Sequence, residues 1–305
     1  MKVLCIGHLT YDTTISTDIY PEENEKYRLT EKIECGGGPA SNAAYLLGKW
    51  GLNTYFAGVG GKDIQGKKAK KEFESVNVKT TYLELNEEVS TDSSYIIANT
   101  TNGSRTILSV SSNRKDHPLS INIDDKFDVI EFDGDELDAS LKVIKNNPNA
   151  IKIIDAGNLR ESTKKLSYLM DYVVCSHDFA EDVTNKKMDY KKIDTIIDIY
   201  KDIKKEFKNN IIITLESYGA FTEIDGEYKI IPSIKMEALD STGAGDIFHG
   251  AITYFIANGF SLKASILLSN ITGALSVRKI GSRYSVPDLD EVIKKYKEIT
   301  HDKSI

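Results

Sequence analysis

The chain has 305 residues, of which 40% are hydrophobic, enough to bury one large α/β core. Its 46 acidic residues against 39 Lys and Arg give a formal net charge of -7, which excludes nucleic acid as the main partner because neutralising phosphates takes a basic surface. Residues 1–8 carry no charged, apolar and cleavage regions in series, and no apolar run reaches membrane-spanning length, so the expectation is a cytoplasmic protein with a small-molecule substrate and no membrane partner.

Short apolar runs at 3–6, 54–59, 127–131, 151–154, 172–175 and 211–215 alternate with helical patterns, which predicts a mostly parallel sheet covered on both faces. One helix starts at Pro39 and stops at Gly51, a second opens at Asp63, and a third follows the glycines of the segment DSTGAGD at 240–246. Further helices over 261–280 and 288–296 close the chain. Two regions break the rhythm: 10–35 reads as short polar strands, and 93–110 as a hairpin around Asn102-Gly103, a pair favoured in type I′ turns. Neither could bury much alone, so both are expected to form a small β-sheet lid, about 10–35 and 92–116, inserted into one domain of 1–305. Asp225-Gly226 marks a second hairpin. Cys5, Cys35 and Cys175 are too few and too far apart for a disulfide framework and read as reduced thiols. The run Lys67, Lys68, Lys70 and Lys71 reads as a solvated helix face, and His8, His117, His177 and His249 show no metal spacing and receive no chemical role.

Three constellations carry chemistry. In DSTGAGD, Gly243, Ala244 and Gly245 precede an apolar helical run, so their N–H groups point from a helix N-terminus at an anion. Asp246 in the same turn could accept a proton from an attacking hydroxyl. It reads equally as an acidic first-turn residue, which the macrodipole would keep ionised and weakly basic. In GGGPASNAA at 36–44, glycines again run into a helix, with Asn42 offering a donor and an acceptor. The segment lacks the Lys-Ser/Thr of a Walker loop and the spacing of a dinucleotide fingerprint, and it also reads as a tight turn in which Pro39 starts the helix. Asp12 lies where the chain leaves the first strand, where a carboxylate can chelate a diol or simply form a turn.

In this order, GGGPASNAA, GVGGKDIQG at 58–66 and DSTGAGDIFHGA at 240–251 resemble the ribokinase-like (PfkB) carbohydrate kinase family nearly end to end. The resemblance implies a three-layer αβα core and transfer of the ATP γ-phosphate to a ribose-, fructose- or ketohexose-like sugar, with Mg2+ and possible K+ activation. It implies Asp246 as base, Gly243 to Gly245 as anion hole, and Asp12, Gly37, Gly38, Asn42, Arg105 and Asp133 on the sugar. Along the nucleotide it places Ser176, Arg160, Thr214, Glu216, Gly219 and Asn270. A monovalent-cation site would use Asp240, Thr242 and Ser285, and Asp178 would sit near magnesium. The nucleotide segment TLESYG carries Glu216 where the family has glycine, and SHDF carries Ser176 and Phe179 for Asn and Glu. A nucleoside or vitamin-like acceptor, with Tyr11, Tyr20 and Tyr95 to stack on, and a catalytically weak sugar- or nucleotide-binding regulator stay open. The free edges of a small sheet imply a homodimer through the lid.

Overall fold

In a computed structural model of the protein, residues 1–29 and 31–301 are described; Thr30, within the 10–35 segment, and 302–305 lie outside the described residues. The first strand, β1 (Lys2–Ile6), is buried on both sides. Val3 and Cys5 enter one apolar cluster and Leu4 and Ile6 the other, the signature of a central strand in a covered parallel sheet. β2 (Thr10–Thr17) and β3 (Lys32–Gly37) then leave the core, and α1 (Pro39–Lys49), β4 (Asn53–Gly61), α2 (Ile64–Ser75) and β5 (Lys79–Asn86) return to it. β6 (Asp92–Asn99) and β7 (Ser104–Val110) leave it again. The chain continues as β8 (Val129–Phe132), α3 (Leu137–Asn146), β9 (Ile151–Ala156), α4 (Glu161–Ser167), β10 (Tyr172–Ser176), α5 (His177–Thr184) and α6 (Ile193–Glu206). It ends with β11 (Asn210–Thr214), β12 (Ala220–Ile224), β13 (Glu227–Ile231), α7 (Ala244–Ala257), α8 (Leu262–Ser276) and α9 (Leu289–Thr300).

The large sheet runs β13-β12-β11-β10-β9-β8-β1-β4-β5, parallel from β11 to β5 and closed at the other edge by the antiparallel hairpin β12–β13. That hairpin turns on Asp225 and Gly226 with φ of 54° and 78°, as the Asp-Gly pair predicts. One apolar cluster takes side chains from α1, α2, α7, α8 and α9, the other from α3, α4, α5 and α6, so three layers result. Among the described residues no helix is long and apolar enough to cross a membrane, and the three cysteines are free and buried.

β5 is invisible in the apolar pattern because this edge strand, KTTYLELN, is mostly polar and buries only the adjacent Tyr82 and Leu83. The expected helix 261–280 stops at Ser276, because the carbonyl of Val277 is taken by the incoming N–H groups of Leu239 (2.8 Å) and Asp240 (3.2 Å). The second sheet is ordered β3-β2-β6-β7, with β2 and β6 parallel and the other pairs antiparallel. Its β6–β7 turn is not the two-residue type I′ expected at Asn102-Gly103. Asn99 pairs with Ser104 across four residues, and of the two only Gly103 has positive φ, at 70°. Asn102 instead uses its side chain, whose Oδ1 accepts from the Ser104 N–H at 2.9 Å.

Candidate active site

The C-terminal ends of the parallel strands and the N-terminus of α7 meet at one place, where ligands collect in open α/β sheets. Gly243 caps α7 with φ of 73°, and a side chain there would collide with Ser282, so the position needs glycine twice over. Among the described residues no acceptor faces the N–H groups of Gly245 and Asp246, and open space lies beside Gly245, whereas Ala244 N–H leans on the Ser241 carbonyl at 3.3 Å. This is the anion-facing geometry of an exposed first turn.

The Asp246 carboxylate accepts from Asn42 Nδ2 at 2.7 Å, which joins α7 to the first turn of α1. Burial, then the Asp155 carboxylate and more weakly Asp12, push its pKa up to about 7; the Asn42 bond and His249 act the other way. The macrodipole expectation is therefore corrected: desolvation and like charge outweigh the helix field, and Asp246 is a far better base than an ordinary carboxylate.

Beside it, β2 and β3 pair Thr10 with Gly37 and Asp12 with Cys35. A side chain on Gly37 would strike the Asp12 carboxyl, and one on Gly38, whose φ is 95°, would strike the His8 carbonyl. Asp12 is buried, accepts from Thr10 Oγ1 at 2.9 Å, and has its pKa raised by that burial. Asn42 Oδ1 is buried and has no hydrogen-bond partner among the described residues. Asp133 is brought to the same corner, but its oxygens are taken by the N–H groups of His8 (2.8 Å), Ala40 (3.2 Å) and Asp135 (2.9 Å), so it clamps β1 to α1. Arg105 reaches across from the small sheet to Ser241 Oγ at 2.9 Å, and Ser241 N–H donates to Gly103 O at 3.2 Å.

The other predicted positions line the next strand ends. Thr214 ends β11 and donates to Cys175 O at 3.3 Å, and Gly219, with φ of 109°, sits where a side chain would strike Ile231 O. Exposed Glu216 takes the left-handed backbone its family position reserves for glycine, φ 50°. Ser176 caps α5, accepting from Phe179 N–H at 3.0 Å and donating to Gly157 O at 2.6 Å. Phe179 is fully buried, 6.3 Å from the Phe207 ring, so a carboxylate is replaced by core packing, while Asp178 stays exposed beside His177 at 3.2 Å. Arg160 does not reach for these groups. It donates to Asp133 O at 2.7 Å and pairs with Asp135 at 3.5 Å. Asn270 likewise spends its amide on Ile231 O (2.8 Å) and Pro232 O (3.4 Å). Asp240 accepts from Thr242 N–H (2.8 Å) and Gly281 N–H (2.9 Å), Ser285 Oγ donates to Ser282 O (2.8 Å), and Thr242 Oγ1 is buried without a partner.

The sequence profile described as pfkB family carbohydrate kinase matches residues 1–289. The chain belongs to this family. As a pfkB carbohydrate kinase it is a phosphotransferase acting on a hydroxyl group. It is similar to the deoxyribokinase of Salmonella typhi, 23% identical over 303 residues, 95% of this chain and 97% of that protein. The ribokinase of Lactococcus lactis is 35% identical over 123 residues, 40% of each chain. Among solved structures, the ribokinase of Arabidopsis thaliana complexed with ribose and ATP superposes with a TM-score of 0.75 at 21% identity, covering 96% of this chain and 97% of that one.

Three acidic or basic groups of this pfkB kinase escaped the sequence reading. His249, given no role, stands 3.2 Å by Nδ1 from Asp155 Oδ2 and 2.7 Å from Gly245 O. Its signal was the spacing of three from Asp246 on one helix. Glu131 was visible as a lone acid in an apolar strand. It is fully buried with only the weakly donating Cys5 thiol beside it, and burial, then Asp133 and Asp155, hold it well above the usual carboxylate range. At the base of the small sheet, buried Arg114 is bracketed by Asp135, Glu136 (2.8 Å) and Asp92 (3.5 Å), with His8 on Asp92 at 2.7 Å.

Proposed function

We propose that this kinase transfers the γ-phosphoryl group of ATP to a hydroxyl of a small carbohydrate, ribose-, fructose- or ketohexose-like, with Asp246 as the proton acceptor. The observation that carries the reading is the Asp246 carboxyl, raised toward neutrality by burial and Asp155, beside the free N–H groups of α7. The substrate hydroxyl, oriented by Asp12, Asn42 and the bare backbone of Gly37 and Gly38, gives its proton to Asp246 as its oxygen bonds to phosphorus. The N–H groups of Gly245 and Asp246 take up the charge spread over the equatorial oxygens, and ADP leaves. A base with a pKa near 7 suits this step at neutral pH better than one near 4.

The ATP-bound Arabidopsis ribokinase, similar in fold, supports ATP as donor. Thr214, Glu216, Gly219 and Ser176 would run along the nucleotide, and Asp178, exposed at the start of α5, would help to hold magnesium, which neutralises phosphate charge. Potassium fits beside the anion hole, where Thr242 Oγ1 is an orphaned buried oxygen next to Asp240 and the 281–285 loop. The small sheet would act as a lid of a single kinase domain spanning 1–305, with the Arg105–Ser241 contact as its closing latch. The outer face of that sheet, with Tyr95 and Leu108 opposite one another and Val110 two residues on, supports a homodimer through the lid.

A carbohydrate is favoured over a nucleoside by the tyrosines. Tyr11 directly precedes Asp12 on β2 and Tyr95 pairs with Thr13, so by strand alternation both stand on the sheet face away from Asp12. The test is ATP turnover over pentoses, hexoses, ketoses and nucleosides, with and without potassium. A pentose or hexose should stimulate turnover most. Stimulation by nucleosides alone, or by no acceptor, would overturn the proposal.

A further inference from the structure

Beneath the candidate base lie a carboxyl and an imidazole that phosphoryl transfer as described does not use. Asp155 is the penultimate residue of β9 and His249 follows Asp246 by three residues on α7; their side chains are 7% and 6% exposed. Nδ1 of His249 lies 2.7 Å from Gly245 O and 3.2 Å from Asp155 Oδ2, and Nε2 lies 3.2 Å from Val174 O. Among the described residues, the polar atoms within reach of the ring nitrogens are two carbonyl oxygens and the Asp155 carboxyl. A neutral imidazole has one N–H, which would leave a lone pair against a buried carbonyl and a buried carboxylate poorly compensated, whereas an imidazolium satisfies both sides at once. Arg160 and the Gly157 N–H also favour an ionised Asp155, against the burial that raises it. The ring's bond to the Gly245 carbonyl falls in the same turn as the N–H groups that face the phosphoryl position.

We propose that Asp155 and His249 form a buried carboxylate–imidazolium pair that positions the first turn of α7 and governs when Asp246 can accept the substrate proton. The inference rests on Asp246 being the base. Asp246 is faced by Asn42 from α1, Asp155 from β9, His249 on its own helix, Asp12 from β2 and Glu131 from β8. Of these, Asp155 acts most strongly against ionisation after burial itself, and His249 acts for it. The pair therefore balances two opposite influences on one carboxyl, and removing either member unbalances it in a known direction.

The test is the acid limb of kcat/KM for Asp155→Asn, His249→Gln and the double variant, alongside the titration of the Asp246 carboxyl by infrared difference against Asp246→Asn. Asp155→Asn should move the limb to lower pH by about one unit, because a like charge is gone. His249→Gln should move it up by a similar amount, because Asp155 and Asp246 then share their proton as a carboxyl dyad. The double variant should return to within about 0.3 unit of the parent. Limbs that stay put while only melting temperature falls, or that move the same way in both single variants, would overturn the pair's role. If one single variant does not fold, the other still decides by its sign. Should the infrared titration shift as stated while Asp246→Asn keeps its turnover, the base assignment fails and the pair's effect on Asp246 stands.

Discussion

A single backbone angle explains the sharpest departure from the family pattern. Glu216 sits at φ 50°, in the 3-10 turn Glu216–Tyr218, where a side chain costs about 1 kcal/mol that glycine avoids. The carboxylate is exposed at the edge where the nucleotide would lie, so the residue is also electrostatically unhelpful to phosphates. Replacing it relieves strain in the folded state, and the greater freedom of glycine in the unfolded chain offsets part of the gain. Glu216→Gly should therefore keep or slightly raise the melting temperature, and lower KM for ATP by a few-fold. A clear loss of stability together with a higher KM for ATP would mean that the glutamate makes a contact the nucleotide needs. Phe179 is the opposite case: its ring is fully buried, so the lost family carboxylate has become part of the core and cannot be restored without burying a charge.

At the scale of elements, the parallel strands were legible because burial on both faces writes a continuous apolar run, as in β1 and β10. β5 was not, since this edge strand buries only Tyr82 and Leu83 among polar neighbours and writes no apolar run. Glycine-to-helix junctions were equally legible, at Gly38 before α1 and Gly243 before α7, because positive φ and close approach both demand glycine. The side chains that these junctions bring together were harder. Asn42 and Asp246 are 204 residues apart in sequence and meet at 2.7 Å, a contact that follows only from the packing of α1 on α7. The proton affinity of Asp246 was misjudged for the same reason. Its local sequence announces a helix dipole, whereas burial between the layers, and after it the Asp155 carboxylate from β9, raise the carboxyl. Asp133 holds the N–H groups of His8, Ala40 and Asp135, and Arg160 holds the Asp133 carbonyl and the Asp135 carboxylate, partners that spacing could not foretell.

Across the whole molecule, the small sheet is tied to the core at two ends. Arg114 and His8 hold Asp92, Asp135 and Glu136 at its base, and Arg105 touches Ser241 at its tip. Its outer face leaves Tyr95, Leu108 and Val110 more than half exposed, at 52%, 56% and 54%. If two copies cover this face, sedimentation velocity should show a dimer that Leu108→Glu dissociates; a wild-type monomer at micromolar concentration would remove the lid-to-lid pairing. The account as a whole stands on Asp246 accepting the proton of a sugar hydroxyl. The most direct measurement is turnover of ATP with the preferred sugar by Asp246→Asn, with ATP affinity followed by calorimetry. We expect unchanged ATP binding and a kcat lower by roughly 10²–10⁴-fold. Turnover within tenfold of the wild type would contradict the assignment.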